Sequence, residues 1–301
     1  MLIDTFSLDI IVFFFLISLG ASFVNGALGY GFSSLAVPIA LFVFPNRILN
    51  PAFVVVELLV NSVMLVYERR HFRKVMSRTA PVVVSLIPGV IAGSYLLSVI
   101  QPDLVKIFLY AAILPLILLQ ASGIRKPIRS ELGFKLPFGL GLGLCYSLTT
   151  ISGPPLALFW NNQGLAKNDF RAALAQIRFA ETVYTGVAYL ALRLYNPVST
   201  QLAGVLLIPM MFGIPLGAYA IRRIEVQTFR RICMSFDAWI VGYGLSHVVT
   251  DMRLLVSKFA YSIFAATILI DFVLLYRFFF GNRKSNLRPI GGLPDESASL
   301  H

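Results

Sequence analysis

Charge is what this sequence has least of. Asp, Glu, Lys and Arg make up 13% of its 301 residues, against roughly 25% in a soluble domain, which must cover its surface with polar groups. An ordinary water-soluble globule is therefore excluded. Cysteine is equally scarce. Cys145 and Cys233 sit singly in apolar segments, with no C-x-x-C and no disulfide framework, and read as small buried hydrophobes. H-E-x-x-H and G-x-S-x-G are missing. Asp237 and Asp271, two acids inside apolar segments, lack a paired motif in adjacent core helices, so an intramembrane enzyme is disfavoured. Without G-x-x-x-x-G-K-[ST] there is no ATP motor in the chain. The start, MLIDTFSLD, has no Lys or Arg before the first apolar run, so no cleaved signal peptide is expected and the first block should stay a membrane segment. No cofactor and no metal are expected.

What is present is apolar and arranged in blocks. Hydrophobic residues make up 57% of the chain and mean hydropathy is +0.80. Residues 10–24, 31–44, 48–67, 79–100, 104–121, 136–161, 172–192, 198–221, 232–250 and 258–280 are nearly free of charge. A helix needs about 20 such residues to span hydrocarbon. Strands of a membrane barrel would be about 10 residues long with alternating polarity, which these blocks are not. The expected class is an all-α polytopic membrane protein.

The net charge of +11 sits between the blocks and is not interleaved with exposed aromatics, so the expected partner is an anionic leaflet rather than nucleic acid. Five Lys/Arg lie in 68–78, four in 122–135, four in 221–231 and three in 281–288. The alternate connections hold none in 1–9, one each in 44–50, 100–106 and 193–200, and two in 251–258. The positive-inside rule puts the rich set in the cytoplasm, the N-terminus outside and the C-terminus inside. By that count 136–161 enters and returns on the inner side, and 10–44 does so on the outer side. Self-association into a homo-oligomer is compatible with such a chain.

An internal repeat is visible. Pro38-Ile-Ala-Leu-Phe42 matches Pro155-Leu-Ala-Leu-Phe159 at an offset of 117. Glu57 matches Glu181 at 124, where Gly89-x-x-x-Gly93-x-Tyr95 also matches Gly213-x-x-x-Gly217-x-Tyr219. The expected layout is a first membrane repeat (1–121, duplicated part 8–121), a basic cytoplasmic linker (122–135) and a second repeat (136–250). A further transmembrane helix (251–280) and a disordered tail (281–301) follow. Each repeat is a Gly/Pro-broken hairpin followed by three transmembrane helices. Loop charges make the repeats inverted if each broken block returns to its own side, and parallel if it crosses once.

The breaks at 22–38 and 139–155 are where a substrate is expected. Non-helical backbone at membrane depth survives only inside protein or beside a water-filled cavity. Pro38, Pro154 and Pro155 are the expected helix breakers. A helix restarting after each break aims free N–H groups and a positive dipole end at its occupant, which suits an oxyanion. Asn25, Ser33, Ser34, Ser147, Thr149, Thr150 and Ser152 add neutral donors beside the glycines Gly26, Gly29, Gly31, Gly143 and Gly153. Close helix packing is the competing use of such small residues; their recurrence in both halves favours a site. Arg178 is the fixed positive charge expected near the substrate. Glu57 and Glu181 are candidates for proton coupling or an ion pair. Arg178 shares a helix face with Glu181 three residues on, and Glu57 has Asn61 or Asn25 as hydrogen-bond partners. Asp271 falls outside the repeat and is set aside, and His247 is expected at an interface.

A Gly-rich break leading to a proline and an apolar run, repeated in two halves, resembles the TauE/SafE family of sulfite and organosulfonate exporters over roughly residues 8–250. That family usually shows a G-x-G-G-G core in each half. Here the first core is Gly26-Ala-Leu-Gly-Tyr-Gly31, with Tyr30 at a glycine position. In the second, Gly139-x-Gly-x-Gly143 lies upstream of Thr149-Thr150-Ile-Ser-Gly153. The resemblance implies a secondary transporter that exports or imports a small sulfur-containing or organic anion through the cell inner (plasma) membrane, with export as the expected direction. The alternatives from the residues alone are a membrane scaffold or assembly factor and, less favoured, an intramembrane enzyme.

Overall fold

The structure is a computed structural model that describes residues 6–122, 131–163, 165, 167–221, 223, 226–255 and 257–280. Most of the expected basic linker (123–130) and the tail expected to be disordered (281–301) lie outside the described residues. Among the described residues there are eleven helices and no strand. They are α1 (Leu8–Leu28), α2 (Phe32–Ala40), α3 (Asn46–Tyr67), α4 (Arg69–Val99), α5 (Pro102–Ala121), α6 (Glu131–Thr149), α7 (Gly153–Asn162), α8 (Lys167–Ala191), α9 (Pro197–Ala220), α10 (Val226–Asp251) and α11 (Ser257–Phe279). Seven are long and apolar enough to cross a membrane. Val84, Ile91, Met211 and Phe212 stand exposed on the outside, as a surface facing lipid requires. The order of elements recurs: a helix, a break, a short helix and three long helices, twice, then α11.

Glycine sets how closely these helices approach. Gly89 and Gly93 of α4 press on Leu140, Leu144 and Ser147 of α6, and Gly143 of α6 presses on Leu86 and Val90 of α4. The same contact exists between α9 and α1. Gly213 and Gly217 face Leu19, Phe23 and Ala27, while Gly26 faces Ile214. At each of these glycines a methyl group would run into the backbone of the neighbouring helix. Lipid gives apolar helices no hydrophobic reason to associate, so backbone-close packing carries the association. In both pairs residue numbers rise together, so the paired helices run parallel. Each pair also joins one helix from either half, and the halves interlock.

The equivalent helices α3 and α8 run the other way to each other. Val54, Glu57 and Asn61 of α3 meet Gly186, Arg178 and Thr182 of α8, in falling order overall. On α4, Lys74 pairs with Asp169 at 2.7 Å, and Glu68 at the α3–α4 junction pairs with Arg171 at 2.9 Å. At the opposite end of α4, Arg47 of α3 donates to the carbonyls of Ser98 and Ile100 at 2.7 and 2.9 Å. α11 is held at the edge by a buried pair, Arg231 to Asp271 at 2.8 Å, with Trp239 donating to the same carboxylate at 3.0 Å.

Two expectations about the breaks are corrected. Each is only three residues long, Gly29–Gly31 and Thr150–Ser152, because the glycine-rich stretches before them remain helical. Pro38 does not break a helix. It lies in the last turns of α2, where losing one N–H costs a single bond near a helix end. Pro154 and Pro155 instead occupy the first turn of α7, the position where a missing N–H costs nothing. The two proline motifs are therefore similar in sequence but out of register in space.

Replacing Gly89 or Gly217 by Leu should lower stability in detergent by about 1–3 kcal/mol or prevent assembly. Gly141→Ala, with open space around its Cβ, should be neutral or gain up to about 1 kcal/mol of helix propensity. Thermal melting followed by size-exclusion chromatography reads both.

Candidate anion site at the helix breaks

The two breaks meet. A Cβ at Gly153, the first residue of α7, would lie 3.3 Å from the Tyr30 ring and 3.7 Å from the Gly31 nitrogen. The first break turns on two glycines at positive φ, Gly29 at 82° and Gly31 at 109°, a conformation L side chains resist. The Gly29 N–H closes α1 on the Asn25 carbonyl at 2.7 Å. The second break has no glycine to turn on. Thr150 takes φ 56°, which strains a β-branched residue. Thr149 offsets this by donating its hydroxyl to the Cys145 carbonyl at 2.7 Å and accepting the Ile151 N–H at 3.1 Å. The carbonyl of Leu148, left free where α6 ends, accepts from Asn50 at 2.6 Å.

Around this junction six helices bring polar groups together, all buried. Arg178 of α8 donates to Glu57 of α3 at 2.9 Å and to the side-chain oxygen of Asn25 of α1 at 3.3 Å. The Glu57 carboxylate also accepts from Ser33 of α2, and from the Tyr146 hydroxyl of α6 at 2.7 Å. Thr182 lies 3.1 Å from that hydroxyl and accepts from Asn61 at 2.9 Å. Glu181 accepts from Ser152, just before α7, at 2.6 Å. Each carboxylate thus takes a hydroxyl from the broken segment of its own half. Four buried polar atoms remain without partners: Nδ2 of Asn25, Nε of Arg178, Oε1 of Glu181 and the Thr185 hydroxyl.

The ion pair is not the local one. Arg178 reaches across to Glu57 rather than to Glu181 on its own helix. Helix spacing offers Glu181 as a neighbour, but Ser152 already holds it. Neither amide expected for Glu57 binds it: Asn25 goes to Arg178 and Asn61 to Thr182. Of the other expected site residues, Gly29, Gly31, Ser33, Ser152 and Gly153 lie at the junction. Ser34 lies beside it, in a crevice lined by Tyr30 and Gly31. Gly26, Gly143 and Ser147 are taken up by helix packing. Thr149 and Thr150 shape the second break, the Thr150 hydroxyl donating to the Thr149 carbonyl at 2.7 Å. Tyr146 and Thr182 were not anticipated. The one available signal was a lone phenol following the glycine-rich stretch of α6. Arg231 was counted with the loop charges, yet it is buried against Asp271. His247 is half-exposed beside Asp251 at 2.8 Å.

Arg178→Met alone should cost about 3–5 kcal/mol of stability, since Glu57 is left buried without its cation. Adding Glu57→Met should recover most of that loss. A single variant as stable as the wild type would show the pair to be dispensable.

The family profile described as "Sulfite exporter TauE/SafE" matches residues 14–243, the main part of the chain. No curated protein and no solved structure gives a significant match. A family match over most of the chain, joined to a multi-pass helical fold with paired breaks, shows that this protein belongs to the TauE/SafE sulfite exporter family of membrane transporters.

Proposed function

We propose that the protein is a secondary transporter of small oxyanions, sulfite or a sulfonate or a related organic anion, bound between the two helix breaks and exported through the inner membrane. The loop charges support an N-terminus outside and a C-terminus in the cytoplasm. The opposed directions of α3 and α8 favour inverted halves, the arrangement suited to alternating access.

The observation that carries the reading is the buried guanidinium of Arg178, bonded to Asn25 and Glu57 among the polar groups around the starts of two short helices. The free N–H groups at the start of α2, the Gly153 N–H at that of α7 and the dipoles of both helices favour an anion, and Nδ2 of Asn25 and Nε of Arg178 are donors with nothing to bond. Glu57 acts as the resident anion. An arriving oxyanion competes with it for Arg178, and a released Glu57, still bonded to Ser33 and Tyr146, is neutralised by a proton. One proton then accompanies one anion, and Glu181, held only by Ser152, is the second carboxyl available for the same task.

Arg178→Gln should abolish radiolabelled sulfite and taurine flux in proteoliposomes while the protein is still made and inserted. Glu57→Gln should keep anion exchange and lose its response to a pH gradient. Undiminished flux in Arg178→Gln would sink the assignment.

A further inference from the structure

Outside the central cluster, the acid without an explanation is Asp237 on α10. Its side chain is buried, and its Oδ1 is enclosed with no hydrogen-bond partner. An unpartnered acid at membrane depth is costly and is retained for a task. Asp237 lines a crevice of about 20 Å³, room for one water. The crevice is also lined by Tyr30 and Gly31 of the first break and by Pro154, in the first turn of α7 just after the second. Arg230, partly exposed, lines it two helical turns nearer the start of α10, with Cys233 between the two.

The surroundings of Asp237 leave few other charges. Along its own helix stand Arg230 and Cys233, and the first break contributes the Tyr30 phenol. Helices α1, α2, α5 and α7 present Val24, Leu28, Ser34, Ile117 and Pro154, none of which titrates. Asp271 of α11 is held by Arg231, Ser235 and Trp239, whose spacing puts them on the other side of α10. Asp237 is therefore the only carboxyl among the described residues lining the crevice, and it stands beside helix starts that favour anions.

We propose that this crevice is the access route of the anion between the starting end of α10 and the helix breaks, with Asp237 as its charge gate. The inference rests on the breaks being the anion site. Ionised, Asp237 repels an approaching oxyanion; after taking one proton from hydronium and releasing water, it lets the anion pass. Arg230 draws the anion to the entrance. The proton at Asp237 and the anion at the breaks stabilise one another, a coupling that is reciprocal. In the present conformation the crevice admits water and excludes a sulfonate.

Cys233 reports on this directly, without any transport. In a Cys145→Ala background it is the sole thiol, since the chain has two cysteines. Its labelling by a sulfonate-bearing methanethiosulfonate is compared with labelling by the trimethylammonium analogue, so that the thiol's own reactivity cancels in the ratio. At pH 8, Asp237→Asn should raise the anionic-to-cationic ratio about tenfold or more, as expected for removing a unit charge at close range. Arg230→Gln should lower it, and Asp237→Glu should leave it near wild type. A ratio unmoved by Asp237→Asn overturns the gate, and protein that cannot be labelled by either reagent overturns the route. In proteoliposomes, exchange of methanesulfonate, which stays ionised throughout, should fall from pH 6 to pH 8 in the wild type and fall less steeply in Asp237→Asn, where only the proton taken up at Glu57 still acts. An unchanged pH profile in that variant also overturns the gate. If no anion is exchanged by the wild type while the labelling ratios behave as stated, the transport reading fails and the charge gate stands.

Discussion

The Arg178–Glu57 pair is the interaction on which the arrangement at the centre depends. A buried ion pair recovers its desolvation cost only when the remaining polar atoms around it are also satisfied. Here the groups that meet it, save at the unpartnered Nε of Arg178, come from five helices. Asn25 brings α1, Ser33 brings α2, and Tyr146 brings α6, while α3 and α8 carry the pair itself. The start of α7 is drawn in through Ser152 and Glu181. Both breaks therefore lie close to the pair, the first through Ser33, which follows it, and the second through Tyr146, one helical turn before it.

Glycine makes that convergence reachable. The α1–α9 and α4–α6 contacts bring backbones together with nothing between them, and each of these pairs is built from both halves. Neither half can be removed without stripping a partner from the other. Rigidity is concentrated in these two parallel pairs. What lies between them is short backbone turned at Gly29, Gly31 and Thr150. The segments able to change shape are thus the ones whose polar groups surround Arg178.

Much of this was legible in the sequence, since bilayer spans impose length and composition on every helix. The blocks, the two broken segments, the Glu57–Glu181 correspondence and the glycine repeats at 89–93 and 213–217 could all be read from residue types alone. The partner of Arg178 could not. Local spacing points to Glu181, three residues away, whereas the actual partner is set by how α3 crosses α8. The extent of the breaks was overestimated for a related reason. Glycine permits a break but equally permits close packing, and only the facing helix decides which. The proline motif misled because a match in sequence carries no information about register: Pro38 falls late in α2 and Pro155 early in α7.

The halves share a fold but not a charge. Glu57 and Glu181 correspond, and each takes a serine hydroxyl from its own broken segment. Arg178 has no such counterpart, because the equivalent position on α3 is Val54. One cation therefore stands among two carboxyl groups and can neutralise only one of them at a time. The choice observed, Glu57 across the interface, ties α3 to α8; the other carboxyl, Glu181, lies on the helix of Arg178 and would tie nothing to it. The breaks differ in the same direction. The first turns freely on glycines, while the second holds Thr150 in a strained conformation that only its surroundings maintain. A symmetric pair of halves would carry the same charge and the same turn twice. Charge and strain instead both single out the second half, which holds the guanidinium of the central cluster and the strained Thr150.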